Sequence, residues 1–92
     1  MISAHAQLEW RSLVEEAAVE ADYAMKKFPQ PNYVISKVAE EAGEVVKAAI
    51  HCAEGRGDRE SVRSEIVQAV AMLMRLFLEG DQVHGLPPIA RS

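Results

Sequence analysis

Ninety-two residues with a formal net charge of −4 allow one hydrophobic core and leave no room for a second domain. Lysine and arginine are scattered and form no basic stripe, which excludes a general nucleic-acid binder, so no nucleic acid polymer is expected as a partner. Cys52 is alone and so cannot form an intrachain disulfide or a thiolate zinc site, and Glu9, Arg11, Glu15 and Glu16 interrupt the N-terminal region; we expect a cytoplasmic protein with neither signal peptide nor membrane span.

The chain is poor in aromatics and rich in Ala, Val, Leu, Glu and Met, a mixture that favours helices. An all-α single domain over 1–92 is therefore expected. The first helix is predicted over 1–28, with Ser3 as N-cap and Leu8, Leu13, Val14, Ala17, Ala18, Ala21, Ala24 and Met25 near a helical period. Trp10 and Tyr23 read as core or subunit-contact aromatics, with stacking on a nucleobase as the alternative. Pro29 and Pro31 end this helix, because proline disfavours helical geometry in the residue before it and donates no backbone hydrogen bond.

A second helix is predicted over 32–54, with Ile35, Val38, Ala39, Ala42, Val45, Val46, Ala49 and Ile50 on a broad apolar face. His51, near its end, reads as a cation placed favourably at a helix C-terminus. The turn Gly55-Arg56-Gly57-Asp58 stops it. The third helix is predicted over 58–79, with Asp58 as N-cap and Gly80 as the stop. Between Ile66 and Leu78 only Gln68 and Arg75 are polar, and a helix apolar on nearly every side is buried on nearly every side. Three helices cannot bury it alone, so a homodimer or homotetramer completing a four-helix-bundle-like core is expected. Residues 80–92 hold Gly85, Pro87 and Pro88, show no period and read as a C-terminal arm.

The chemistry is expected in the run Glu40-Glu41-Ala42-Gly43-Glu44. On a helix Glu41 and Glu44 project from one face with their Cβ atoms about 5–6 Å apart, a like-charge pair that folding does not favour. A hard divalent cation does favour it, because Mg²⁺ prefers carboxylate oxygens and commonly keeps positions for substrate phosphates. Glu65, at the start of the third helix, converges on this pair if the two helices pack antiparallel across their short connector. The bland alternative is a solvated face with local ion pairs to Lys37 and Lys47.

Residues 37–49, Lys37-Val38-Ala39-Glu40-Glu41-Ala42-Gly43-Glu44-Val45-Val46-Lys47-Ala48-Ala49, together with Glu65-Ile66-Val67-Gln68, resemble the paired EExxE and ExxD motifs of the MazG-like all-α nucleoside triphosphate pyrophosphatase superfamily, related to dimeric dUTPases and phosphoribosyl-ATP pyrophosphatase. The likeness covers about half of the chain. It implies Mg²⁺, with Mn²⁺ as a substitute, held by Glu41, Glu44, Glu65 and the residue at position 68. It also implies hydrolysis of a nucleoside triphosphate to the monophosphate and pyrophosphate by water attacking the α-phosphorus. Glu40 and Glu41 are the implied catalytic carboxylates, Glu40 serving as a further ligand, a group that holds a ligand in place, or a base that orients water. Lys37, Lys47 and Arg75 are the implied phosphate contacts, Arg75 having as alternatives a pairing with Glu41 or Glu44 or a place in a subunit interface.

The chain departs from the family pattern at Gln68, which offers a neutral amide oxygen where ExxD has a carboxylate and so weakens a hard-cation site. The runner-up expectation is therefore a helical interaction or regulatory protein that keeps the fold without the turnover.

Overall fold

The computed structural model describes residues 1–91 and is all-helical, as the composition implies: α1 spans Ala4–Lys27, α2 Val34–Ala53 and α3 Arg59–Glu79. Two of the three N-termini are closed by the residues expected. Ser3 is extended and its hydroxyl accepts from the Ala6 amide at 3.1 Å, and the Asp58 carboxylate accepts from the Ser61 amide at 2.8 Å; each satisfies an amide with no partner inside its helix. Tyr33, before α2, offers no side-chain cap.

α3 is the centre of the molecule. It packs against α1 on one side and α2 on the other, while α1 and α2 form no helix pair of their own. The α1–α3 seam consists of Leu13, Ala17 and Ala21 against Val67 and Ala71, its three alanines letting the two backbones approach closely. Arg63 and Glu16 add an exposed ion pair across one end.

At the other end Arg75 is 1% exposed. Its guanidinium pairs with Glu79 one turn on and donates to the carbonyls of Ala24 and Phe28 at the end of α1, beside the Phe28 amide that Ala24 accepts from and the Asn32 side chain that Phe28 accepts from.

The C-terminal segment departs from the expected arm. Residues 80–91 fold back on the helix ends, because several backbone groups there have no other partner. Asp81 and Leu86 bond each other's backbone groups at 2.9 Å, and the amides of Ile89 and Ala90 donate to the Phe77 carbonyl. Gly80 makes the reversal possible. Its φ is +68°, and a Cβ there would stand 2.2 Å from the Leu86 carbonyl oxygen.

The buried Asp81 carboxylate then supplies the cap that Tyr33 lacks. It accepts from the Ile35 amide at 2.9 Å, from the His84 amide at 3.0 Å and contacts His84 Nδ1 at 3.1 Å. Gln30 bridges the same region, its amide nitrogen donating to Glu79 and its oxygen accepting from the Asn32 and Gln82 amides.

α3 is less enclosed than its composition implies. Val67, Ala71, Met72 and Arg75 are buried, whereas Leu73 and Phe77 are 51% and 52% exposed. α1 and α2 cover two sides of α3, and its third side faces solvent.

Candidate functional site

α2 and α3 run antiparallel, and their register fixes which acidic groups meet. Glu44 and Glu65 line one cleft, over the α2–α3 turn, with a volume of about 250 Å³. Three residues away on each helix, Glu41 and Gln68 line a second, smaller cavity of about 160 Å³, closed on its far side by α1. The spacing of the two motifs is thus matched: EExxE runs down one wall of the groove and Glu65-Ile66-Val67-Gln68 runs up the other.

Glu41 is the electrostatic centre of the row. Partial burial is the largest influence raising its pKa above the ordinary carboxylate value, followed by repulsion from Glu65, Glu40 and Glu44 in that order. Lys37, one turn earlier on α2, partly offsets this. Glu65 therefore acts on Glu41 from the facing helix, as the antiparallel packing predicts. In the side-chain positions of the structure no three His, Cys, Asp or Glu among the described residues gather closely enough to hold a metal ion.

The remaining expected residues separate. Lys37 is half-buried beside Glu41 and Gln68, with Nζ 5.8 Å from the Phe28 ring centre. Lys47 is exposed on the turn-side cleft with Glu44 and Glu65. Glu40 is exposed at the edge of the row.

Arg75 requires a correction. Two helical turns from Gln68 it lies on the same face of α3, as its spacing implies, but it is buried there and its donors go to Glu79, Ala24 and Phe28. It holds α1 to α3. It presents no charge to a phosphate and pairs with neither Glu41 nor Glu44.

The sequence reading also missed residues. Phe28 and Met72 line the smaller cavity beside Tyr23, whose alternative role is base stacking, and His51, Arg56 and Ser61 complete the larger cleft. The signal for His51 was present, since Glu44, Lys47 and His51 recur at helical spacing on one face of α2. Arg56 and Phe28 come from outside the α2–α3 core and carry no such local signal.

No family model, curated protein or solved structure matches this chain. Among the described residues no helix is long and apolar enough to cross a membrane.

Proposed function

We propose that this chain is a Mg²⁺-dependent nucleoside triphosphate pyrophosphohydrolase of the MazG-like kind, acting in the cytoplasm as a homo-oligomer. The observation that carries the proposal is the repulsion Glu41 receives from Glu40, Glu44 and the facing Glu65 in a groove flanked by two cavities. Carboxylates that repel one another across a groove favour a hard cation with oxygen ligands. By donor chemistry Glu41, Glu44 and Glu65 fit Mg²⁺ or Mn²⁺, with the Gln68 amide oxygen as a weaker fourth donor, once their side chains turn into the groove.

When bound, Mg²⁺ supplies positive charge against the triphosphate. The chain's own groups do the rest. Glu40, exposed at the edge of the row, takes the proton of the attacking water. The water oxygen forms a bond to the α-phosphorus as the bond from that phosphorus to the α–β bridging oxygen breaks, and pyrophosphate leaves with the bonding pair. Lys37, beside Glu41, offsets negative charge at the α-phosphate.

A second reading is favoured by one observation: Gln68 is neutral where the resembled motif has a carboxylate. On that reading the chain is a helical regulatory or interaction protein with a silent site. One assay separates the two. Purified protein is incubated with NTPs and dNTPs and Mg²⁺ or Mn²⁺, and pyrophosphate is measured against orthophosphate. Pyrophosphate release above that of a Glu41→Ala control is expected; release no greater than the control overturns the enzyme reading. Gln68→Asp then tells a specialised site, which loses turnover, from a degraded one, which gains it.

A further inference from the structure

The two cavities on the α2–α3 groove differ in the chemistry of their linings, and the difference gives the groove a direction. The cleft over the α2–α3 turn brings together Glu44, Lys47 and His51 of α2, Arg56 of the turn, and Ser61 and Glu65 of α3. Gly57 lies against the last turn of α2, where a Cβ would come within 3.4 Å of His51 Cβ, so the turn sits over this end of the cleft.

Opposite charges sharing a small cleft ordinarily pair. Among the described residues, Glu44, Glu65, Lys47 and His51 take part in no ion pair, and Arg56 pairs with Glu54, outside the cleft. That pair is exposed on both sides, of the kind that solvent screens and a stronger ligand displaces. A helix C-terminus accounts for cations at His51 and Arg56. It does not account for two carboxylates left beside them unneutralised.

A polyphosphate carrying a divalent cation meets both sets of charges at once. Its oxygens suit Lys47, His51 and Arg56, and its cation suits Glu44 and Glu65. The smaller cavity is of another kind, lined by Tyr23, Phe28 and Met72 beside Lys37, the Glu20 and Glu41 carboxylates and the Gln68 amide. Aromatic faces and one amide suit a planar heterocycle better than a polyphosphate.

We propose that the cleft over the α2–α3 turn is the subsite for the leaving pyrophosphate, held by Lys47, His51 and Arg56, with the base of the substrate directed toward Tyr23 and Phe28. The direction of the nucleotide rests on the pyrophosphohydrolase reading; the pyrophosphate subsite itself does not.

Calorimetric titration tests it with three probes, each in MgCl₂: inorganic pyrophosphate, the α,β-methylene analogues of ATP, GTP, CTP and dUTP, and the corresponding monophosphates. The variant is the triple Lys47→Ala, His51→Ala, Arg56→Ala, with helicity and melting temperature confirming its fold. Loss of two charges and one ring donor is expected to weaken pyrophosphate and the analogues by about tenfold or more while monophosphates change by less than about twofold. A Lys47→Arg, Arg56→Lys double variant retains binding, because charge is what the subsite supplies.

The proposal is overturned if the triple variant binds pyrophosphate as the parent does, or if monophosphates weaken as much as the analogues. Binding of pyrophosphate that depends on the three side chains, without binding of any analogue, sustains the subsite and overturns the nucleotide reading. Binding of the analogues that ignores the three side chains does the reverse, and a parent that binds no probe overturns both.

Discussion

Glu41 shows how function and stability oppose each other at a single residue. Its raised pKa means that the folded chain keeps the Glu41 proton to a higher pH than the unfolded chain does. Its contribution to stability is therefore complete below the ordinary glutamate value, about 4.3, and is lost as the pH rises through the raised value. Glu41→Gln removes the charge, so the variant should melt above the parent at neutral pH by a few degrees, and the difference should vanish below about pH 4. Melting curves across pH check this, and a neutral-pH variant no more stable than the parent refutes it. Gln68 bears on the same balance, because an aspartate there would add another charge facing Glu41. Gln68→Asp should lower the metal-free melting temperature and enlarge the rise produced by Mg²⁺, since a ligand at about 100 times its Kd adds about 2.7 kcal/mol. Arg75 behaves in the opposite way. Arg75→Met takes one donor each from Glu79 and the Ala24 and Phe28 carbonyls, which keep the Gln30 side chain, the Phe28 amide and the Asn32 side chain, so the loss is about 1–3 kcal/mol. Urea denaturation should register a loss of that size against the roughly 5–15 kcal/mol typical of a folded domain.

At the scale of the element, α2 is held by a residue far from it in sequence. Burial pushes the Asp81 carboxyl up, but the hydrogen bonds from the Ile35 amide and from the amide and ring of His84 outweigh it and leave the pKa below the ordinary aspartate value. A depressed pKa means that the stabilisation is present above the ordinary value and lost as the pH falls through the depressed one. The Ile35 amide resonance should therefore shift in a transition below about pH 4, and Asp81→Asn should abolish that transition. Gly80→Ala should detach the same turn at every pH, through its Cβ clash with Leu86 and its positive φ, and lower the melting temperature. These contacts also mark how far the sequence was legible. The three helices, the Ser3 and Asp58 caps and the Glu41/Glu44 face arise from residues three or four apart, which a single strand of sequence displays. Asp81 meets Ile35 across 46 positions, and Arg75 meets Phe28 across 47. Periodicity gave the face on which Arg75 lies but not its depth, and Gly85, Pro87 and Pro88 mark a turn without saying what the turn packs against. Glu65 was reached only because a short connector between two helices leaves antiparallel packing as the simple solution.

The whole molecule exposes more surface than a chain of its size normally does. Its accessible area is 6521 Å² for 10.1 kDa, where folded monomers of that mass expose about 5,300 Å². The radius of gyration is 14.5 Å, against about 12 Å for a compact domain of this length. The apolar part of this surface is ordered. Ile35, Ala39, Ala42, Val46, Ala49 and Ala53 are all exposed on α2 at alternating spacings of four and three, the pattern of a helix seam that meets another helix. On α3, Val62 and Ile66 face Ala49 and Ala53 across an apolar groove of about 410 Å³, and Leu73 and Phe77 extend the α3 side of it. The excess area, about 1,200 Å², is comparable to the roughly 800 Å² per partner that a standard interface removes. A second copy laying its own α2 and α3 on this groove is the occupant these quantities favour, and it would build the four-helix core that one chain lacks. Sedimentation equilibrium should give a dimer or tetramer. Leu73→Glu with Phe77→Glu should return it to monomer while keeping most of the helicity, because neither side chain belongs to the α1–α3 seam. The carboxylate row lies on other faces of α2 and α3, so a dissociated variant that still binds Mg²⁺ would show that the site is built within one chain. A parent that sediments as a monomer at every concentration would refute self-association through the groove.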